Sequence, residues 1–281
     1  DRRPPALIAT MRACLLTPNS QAPQTWPIII GGCHRSGTTL VRYLLNNHSR
    51  IHCGPELSFL REIARGFKDD PYGHLRFAQS ARAYVSDDQL MEIFGRAAIA
   101  IHEQAALRAG KPRWADKQPF NAFYLPLWER LLGSAWHWVH VVRNPVDVVS
   151  SMIEIGFPLS LPPGLDEKID LWMRMVEAGE AWRAQHPARA HRVDYDELVR
   201  NPEGVMETLM RALGEAREAG QLRYRGEARQ LEDPKAHRHA APHADSIGRG
   251  YACLMRDAVE RIVKRTGGCC ARFGIPIPPP P

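Results

Sequence analysis

The chain alternates between short runs of consecutive apolar residues and longer stretches in which apolar residues recur every three or four positions. A short apolar run is typical of a buried strand, and the three-to-four spacing is typical of an amphipathic helix. The strand candidates are Ile28 to Gly32, Ile51 to Cys53, Trp136 to Val142 and His191 to Val193. The near-continuous apolar character of the clearest runs favours a parallel sheet that is covered on both faces.

Helical stretches lie between these strands. The helix candidates are the residues between Gly37 and His48, Leu57 to Arg65, residues 67 to 110 with an alanine-rich repeat from Ile93 to Leu107, and Ala252 to Lys264. A further helix begins at Asn144, since this residue can cap it, Pro145 suits its first position and Asp147 adds an acid to its first turn. Ile275 to Pro281 is predicted to be a proline-rich tail with no core role.

The alternation of strand, glycine turn and helix is typical of an α/β fold with a central parallel sheet. We therefore predict a three-layer fold in which helices flank the sheet. In such sheets the functional site lies at the carboxyl ends of the strands. At 281 residues the chain is expected to form one domain, with an N-terminal extension at residues 1–26 and the tail at residues 275–281.

Composition and charge add limits to this picture. Hydrophobic residues make up 44% and charged residues 24% of the chain, which excludes wholesale disorder and a coiled coil. The net charge of +6 suits an anionic ligand, a polyanion or a membrane surface and does not choose among them. No apolar run reaches the roughly 18 residues that a membrane span needs, so no span is predicted. The six cysteines form no C-x-x-C pair, which favours a reducing compartment, while the start at Asp1 leaves an upstream targeting segment open.

The first glycine turn has the spacing of a phosphate-binding loop. Residues 32–39 read Gly-Cys-His-Arg-Ser-Gly-Thr-Thr, with the two glycines five positions apart as in a P-loop. The amide groups at the start of the following helix can hold phosphate. Thr38, however, stands where nucleotide triphosphatases carry a lysine, and the strand that should end in a magnesium-binding acid ends in Arg143. The residues therefore predict a P-loop-type fold that binds phosphate without magnesium.

Two motifs in this chain resemble those of the sulfotransferases that use 3′-phosphoadenosine-5′-phosphosulfate. The block from Pro27 to Leu45 resembles their 5′-phosphosulfate loop, and the block from Val141 to Met152 resembles their 3′-phosphate site. The resemblance implies phosphosulfate contacts from Arg35, Ser36, Gly37, Thr38 and Thr39. It also implies that Arg143 and Ser151 bind the 3′-phosphate, and an arginine at a strand end with a serine two turns into the next helix can grip a phosphate. The implied co-substrate is 3′-phosphoadenosine-5′-phosphosulfate, with no metal.

The catalytic residues are implied by the tyrosylprotein branch of this family and its bacterial relatives. The segment Cys53-Gly54-Pro55-Glu56 resembles their Cys-Gly-Glu-Glu, so Glu56 inherits the role of general base. The segment Asp116-Lys117-Gln118-Pro119-Phe120 resembles their Asn-Lys-Asp-Pro-Phe, which implies that Lys117 stabilises charge growing on the leaving phosphate oxygen. Arg35 would share that task.

Two later segments are implied to contact the nucleotide. Tyr195 lies in a segment that resembles the Tyr-Glu-x-Leu-Val of these enzymes, and Ser246 and Arg249 stand where bacterial members have a loop that covers the nucleotide. His237, His239 and His243 could suggest a metal instead, but no acid or cysteine completes a site around them, so none is predicted.

The acceptor is where this sequence departs from the tyrosylprotein branch. That branch has arginines at the positions of Ser58 and Glu62, where they suit the acidic residues around a target tyrosine. We therefore expect a small-molecule acceptor that presents a hydroxyl, in preference to an amine, in an apolar pocket beside Glu56. The branch also has a cysteine at the position of Ala115, able to pair with the one at Cys53, and its absence favours a cytoplasmic enzyme.

Other interpretations stay open at this point. A P-loop kinase or other nucleotide-dependent phosphotransferase is opposed by Thr38 and Arg143, while a non-enzymatic polyanion-binding protein is permitted by the basic charge. Glu56 could be only a first-turn acid of a helix, and Lys117 only a solvated loop charge. Neither a nucleic-acid partner nor a particular oligomeric state is predicted.

Overall fold

Five parallel strands form the centre of the molecule, which we describe from a computed structural model at residues 26–59, 80–156, 161–223, 242 and 244–278. The strands are β1 (Ile28–Gly32), β2 (Ile51–Cys53), β3 (Arg113–Lys117), β4 (His137–Val142) and β5 (Ala190–Asp194). Their order across the sheet is β2-β3-β1-β4-β5, and each neighbouring pair runs parallel. The predicted central parallel sheet is confirmed.

Helices connect the strands and cover the sheet. They are α1 (Thr38–Asn46), α2 (Asp87–Arg108), α3 (Asn121–Leu132), α4 (Pro145–Ile155), α5 (Leu165–Gln185), α6 (Tyr195–Arg200), α7 (Pro202–Ala212), α8 (Arg249–Cys253) and α9 (Arg256–Phe273). The predicted start of α4 is confirmed, because the Asn144 side chain accepts a hydrogen bond from the Asp147 amide at 2.9 Å. In the described part of the chain, none of these helices is long and apolar enough to cross a membrane.

The alternation of side chains along β1 produces the three layers. Ile28 and Ile30 pack with Leu44 of α1 and Met210 of α7 on one face of the sheet. Ile29, whose side chain points to the opposite face, packs with a cluster that includes Trp128 of α3. The predicted three-layer α/β fold is therefore confirmed, and β1 is buried on both faces at the centre of the sheet.

The chain leaves β1 toward one edge of the sheet to form β2 and β3, and it later returns to the other side to form β4 and β5. A change of direction of this kind opens a crevice at the carboxyl ends of the strands. The loop after β1 lies in this crevice, between the segments that follow β3 and β4. The topology therefore places the glycine turn, Lys117 and Arg143 at the same edge of the sheet.

Strand β3 was not among the strands predicted from the sequence. Three of its five residues are charged, so it lacks the apolar run by which a buried strand is recognised, yet all five are buried. Each charge has a partner: Arg113 bonds to the Leu213 carbonyl at 2.8 Å, Asp116 lies 3.1 Å from His102, and Lys117 contacts Glu56. Tertiary contacts outweigh the local pattern because paired charges can be buried.

The C-terminal region differs from the prediction in two ways. The single helix predicted from Ala252 to Lys264 is instead two helices, α8 and the longer α9, separated by Leu254 and Met255 in extended conformation. The prediction that the tail has no core role is wrong for Ile275, which is 4% exposed and belongs to a buried cluster with Trp172. Gly274 ends α9 in the left-handed conformation, with φ of 58°, and so turns the chain back toward the core.

Some predictions lie outside the described residues. These are the N-terminal extension at residues 1–25, the helix from Leu57 to Arg65 beyond its first three residues, the helical stretch at 67–79, the three histidines at 237, 239 and 243, Glu62, and the end of the tail at residues 279–281.

Candidate active site

Two glycines shape the turn between β1 and α1. Gly32 has φ of 149°, and a Cβ there would lie 2.1 Å from the Val141 carbonyl oxygen of β4. Gly37 has φ of 95°, and its Cβ would lie 2.2 Å from the ring of Tyr195. Neither contact can be relieved without moving the backbone or an aromatic ring, so both positions require glycine. These are the two glycines whose spacing indicated a phosphate loop.

The start of α1 has the features of an anion site. The first amide groups of a helix have no acceptor within the helix, and the N-cap, Gly37, has no side chain to supply one. Thr38 and Thr39 follow it in the first turn. The Ser36 hydroxyl is buried and has no hydrogen-bond partner in the residues that the structure describes. Donors and a hydroxyl therefore converge at the positive end of the helix dipole, where phosphate is stabilised.

Arg35 connects this turn to α4. Its backbone has φ of 71°, a left-handed conformation that is uncommon for any residue except glycine. Its Nε donates a hydrogen bond to the hydroxyl of Ser151 at 3.1 Å. The sequence paired Ser151 with Arg143, but the hydrogen bond found for Ser151 is to Arg35. The two expected phosphate subsites are therefore joined by a direct contact between their residues.

Arg143, directly after β4, contacts three separate parts of the site. Its Nη1 donates to the Arg35 carbonyl at 3.4 Å, and its Nη2 donates to the Ser246 carbonyl at 2.5 Å. Its guanidinium lies 4.4 Å from the centre of the Tyr195 ring. The Tyr195 hydroxyl is in turn 2.8 Å from the Ser246 hydroxyl. Arg143, Tyr195 and Ser246 thus form one group, whereas Arg249 pairs with Glu154 of α4 at 3.1 Å.

Two buried carboxylates flank Arg143, and the sequence did not identify either as part of the site. Asp147 Oδ2 lies 3.3 Å from Nη2, and Asp196 Oδ1 lies 3.9 Å from Nε. Asn144 donates hydrogen bonds to both acids, at 2.9 and 3.0 Å. Burial raises the pKa of Asp196, and the negative charge of Asp147 raises it further. The four-residue spacing from Arg143 to Asp147 was a usable signal, but Asp147 was read only as a helix-start acid.

The predicted catalytic residues Glu56 and Lys117 meet on the other side of the glycine turn. Lys117 is the last residue of β3, and its side chain is fully buried. Its Nζ donates hydrogen bonds to Glu56 Oε1 and to the Thr39 hydroxyl, the latter at 3.3 Å. Glu56 is 27% exposed, so its carboxylate reaches both the buried ammonium and solvent. The structure therefore brings Glu56, Lys117 and the first turn of α1 together.

Two residues of α1 hold the segment that leads to Glu56. The Arg42 guanidinium donates to the Cys53 carbonyl at 3.1 Å, and the Asn46 side chain accepts from the Cys53 amide at 2.9 Å. Arg42 is completely buried although it is charged. The sequence analysis missed both residues, because they stand among the apolar positions of a helix and their partner lies on the next strand.

A small cleft adjoins Glu56 on the face of the sheet that α2 and α3 cover. It is lined by Leu57, Ser58, Phe59, Ala98, His102, Asp116, Gln118 and Trp128. Gln118 is 3% exposed, and its Nε2 has no hydrogen-bond partner within the described residues. Burial acts to raise the pKa of Asp116, but hydrogen bonds from His102 and Asn121 outweigh it and hold that pKa below its usual value. The cleft thus combines apolar walls with polar groups.

The part of the chain that the structure describes contains no metal cluster, and four of the five cysteines there are buried. No group of three or more histidine, cysteine or acidic residues there could hold a metal ion. Cys33 and Cys53 are both buried, and burial raises the pKa of the Cys33 thiol far above its usual value. Burial also raises the pKa of Cys269 to about 12 and that of Cys270 to about 11, which disfavours the reactive thiolate form of both.

Comparison with curated proteins finds several relatives that are named protein-tyrosine sulfotransferases. Protein-tyrosine sulfotransferase 1 of Danio rerio is 27% identical over 226 residues, which cover 76% of this chain and 61% of that protein. Protein-tyrosine sulfotransferase 1 of Homo sapiens is 28% identical over 199 residues, which cover 66% of this chain and 50% of that protein. The chain therefore spans between half and three fifths of the length of these relatives.

Solved structures and a family model agree with these relatives. The sulfotransferase domain of the Synechococcus PCC 7002 olefin synthase superposes with a TM-score of 0.62 at 18% identity, covering 93% of this chain and 98% of that one. A sulfotransferase domain from the curacin biosynthetic pathway has the same TM-score and identity, with coverage of 91% and 100%. At this identity the likeness shows the fold. Since the family model described as "Sulfotransferase family" matches residues 27–219, more than half of the sequence, this chain belongs to the sulfotransferase family.

Proposed function

We propose that this chain is a sulfotransferase that uses 3′-phosphoadenosine-5′-phosphosulfate as donor and sulfates a hydroxyl group of a small molecule. One observation carries the proposal. The buried ammonium of Lys117 contacts both the Glu56 carboxylate and Thr39 at the start of the phosphate loop. A base and a cation are thereby held next to the expected position of the transferred group. Membership of the sulfotransferase family supports the same activity.

The residues fit the donor at both of its charged ends. Ser36 and the first amide groups of α1, together with Arg35, suit the 5′-phosphosulfate, because a buried hydroxyl without a partner in the described residues needs an acceptor. Arg143 and Ser151 suit the 3′-phosphate, with Tyr195, Ser246 and Arg249 beside the nucleoside. When bound, the donor supplies an activated sulfuryl group attached to the 5′-phosphate of the nucleotide.

Two residues would carry the chemistry. Glu56, as a carboxylate, accepts the proton of the acceptor hydroxyl, a contribution of about 10² to 10⁴ in rate. Lys117 donates hydrogen bonds toward the anionic oxygen at which negative charge grows, and Arg35 shares this charge from the other side of the turn.

A small acceptor is supported by the surroundings of Glu56. Ser58, rather than an arginine, lies next to it, and the adjoining cleft has apolar walls from Leu57, Phe59 and Trp128. The relatives named protein-tyrosine sulfotransferases argue for a peptide, so the acceptor must be tested directly. We also propose a cytoplasmic location, because Ala115 stands where the tyrosylprotein branch has a cysteine able to form a disulfide.

The donor is tested by thermal stabilisation without metal. A hundredfold excess of adenosine 3′,5′-bisphosphate over its dissociation constant should stabilise the folded chain by about 2.7 kcal/mol. For a protein of this size that corresponds to a rise of about 5 to 10 °C in melting temperature. Stabilisation by magnesium ATP to the same extent would instead favour a nucleoside triphosphate enzyme and overturn the assignment.

The acceptor is tested by sulfate transfer from the radiolabelled donor to 2-naphthol, to a primary alkanol and to an acidic tyrosine peptide. We expect transfer to one or both small hydroxyl compounds and poor transfer to the peptide. Efficient sulfation of the peptide alone would refute a small-molecule acceptor and leave the donor assignment intact.

A further inference from the structure

We propose that Asp147 is a positioning residue that holds residues 246–250 over Arg143, and that it thereby gives the site its preference for nucleotides with a 3′-phosphate. This inference rests on the proposed function, because it concerns how the nucleotide site is assembled. The segment 246–250 is called the covering segment below. It stands about a hundred positions after Arg143 in the sequence, so a specific contact is needed to fix it there.

The Asp147 carboxylate binds the covering segment through two backbone amides. Its Oδ2 accepts a hydrogen bond from the Gly248 amide at 2.9 Å, and its Oδ1 accepts one from the Gly250 amide at 2.7 Å. The carboxylate is 1% exposed, so water cannot substitute for these donors. Hydrogen bonds to a buried charge are stronger than those between neutral groups. Asp147 therefore holds the backbone of the covering segment at two points, in addition to the more exposed ion pair between Arg249 and Glu154 of the same helix.

The same carboxylate is also tied to the proposed phosphate-binding arginine. Its Oδ2 lies 3.3 Å from Nη2 of Arg143, and this nitrogen also donates to the Ser246 carbonyl at 2.5 Å. The Ser246 hydroxyl completes the group by its contact with Tyr195. Displacing the covering segment would therefore change how Arg143 and Tyr195 are oriented, although Asp147 need not touch the nucleotide itself.

The glycines of the covering segment explain why it can approach so closely. A Cβ on Gly250 would lie 2.6 Å from the Val146 carbonyl oxygen and 3.0 Å from the Asp147 amide nitrogen. Gly248 has φ of 76°, which a side chain would strain. The backbone of the segment is thus packed directly on the first turn of α4, where Asp147 accepts both of its amides.

Electrostatics and positioning predict opposite results when the carboxylate is neutralised. Asp147 is negative and close to Arg143, so removing its charge would by itself strengthen the binding of an anion. If its main role is to hold the covering segment, the Asp147→Asn variant should bind the 3′-phosphate less well, because the amide side chain cannot accept both backbone hydrogen bonds. The sign of the change therefore separates the two explanations.

The experiment measures calorimetric affinity for adenosine 3′,5′-bisphosphate and for adenosine 5′-phosphosulfate, which lacks the 3′-phosphate. In Asp147→Asn we expect the affinity for the bisphosphate to fall by about tenfold to a hundredfold, and the affinity for the 5′-phosphosulfate to change by less than about threefold. An unchanged or higher bisphosphate affinity, or an equal loss for both nucleotides, would overturn the proposal.

A second variant approaches the same contact from the other side. Gly250→Ala adds a Cβ that must push the covering segment away from Val146 without altering the carboxylate, so the same selective loss is expected. If Asp147→Asn does not fold, the affinities of Gly250→Ala test the positioning role instead. The matched control is Glu180→Gln, which changes a buried carboxylate bonded to His140 at 2.9 Å and Arg183 at 2.8 Å. It should lower stability and leave both affinities unchanged.

The wild-type protein distinguishes failure of this inference from failure of the proposed function. If the wild type binds the bisphosphate and both variants keep that affinity, the positioning role is wrong and the sulfotransferase assignment stands. If the wild type binds neither nucleotide, the proposed function and the inference are both wrong.

Discussion

Replacing Glu56 by glutamine tests the proposed base while changing the shape of the site very little. The glutamine can still accept a hydrogen bond from Lys117 through its Oε1, but it cannot take a proton from an acceptor hydroxyl. We expect turnover to fall by about 10² to 10⁴, which corresponds to about 2.7 to 5.4 kcal/mol of lost transition-state stabilisation. The affinity for adenosine 3′,5′-bisphosphate should change little, because Glu56 is bonded to Lys117 and the proposed 3′-phosphate contacts come from Arg143 and Ser151.

The same variant should also have a measurable effect on stability. The buried Lys117 ammonium loses a charged partner and keeps a neutral one, a difference of about 1 to 1.5 kcal/mol between the two kinds of hydrogen bond. For a chain of this size this lowers the melting temperature by about 2 to 6 °C. A fall in turnover much larger than the loss of folded protein therefore identifies a chemical role rather than a structural one.

Transfer from the radiolabelled donor, under single-turnover conditions with the acceptor preferred by the wild type, measures the chemical step. The matched control is Glu207→Gln, because Glu207 is an exposed acid that pairs with Arg211 on α7 at 3.4 Å. It should keep full turnover and stability. Turnover of Glu56→Gln within about threefold of the wild type would mean that another group takes the proton.

Three further predictions concern Gly37, Arg143 and the partly buried His137. Gly37→Ala should abolish stabilisation by the bisphosphate, because its Cβ would lie 2.2 Å from the Tyr195 ring and its φ of 95° suits only glycine; the thermal shift assay reports this. Arg143→Lys should lower bisphosphate affinity by about tenfold or more in calorimetry, since an ammonium cannot keep the contacts to both Arg35 and Ser246. Burial lowers the pKa of His137 to about 3, so below pH 6.5 the unfolded chain binds a proton that the folded chain does not. The free energy of unfolding, measured in urea, should therefore fall by about 1 kcal/mol from pH 7 to pH 5, a value that allows for the partial exposure of the ring. The His137→Asn variant should lack the part of this decrease that His137 causes.

The features that the sequence predicted well are those whose cause is local. Gly32 and Gly37 are both needed, because each has a positive φ and a close neighbour that leaves no room for a side chain. The residues whose spacing predicts a phosphate loop are therefore the residues that shape this turn. The start of α4 was equally legible, since a cap, a proline and an acid act within four positions of one another. Strand β1 and helix α1 could be identified for the same reason.

The features that the sequence could not predict depend on contacts between distant segments. Ser151 bonds to Arg35 across 116 positions, and Arg143 bonds to Ser246 across 103. No pattern of neighbouring residues predicts either hydrogen bond. A resemblance between motifs implies a role for each residue, but it does not show which residue it bonds to. Strand β3 was missed for a related reason, because its charged residues are buried only through partners on other elements.

The arrangement of the site follows from the order of the strands more than from any single motif. Lys117 ends β3, and its contacts come from the segments after the two neighbouring strands: Glu56 after β2 and Thr39 after β1. Arg143 follows β4 in the same way, with Arg35 after β1 and Tyr195 after β5. Each cation thus joins the shared glycine turn to one outer strand. Because the two cations contact the turn from opposite sides, we expect that changes around β2 and β3 can alter the proposed acceptor side while the proposed nucleotide contacts after β4 and β5 remain in place.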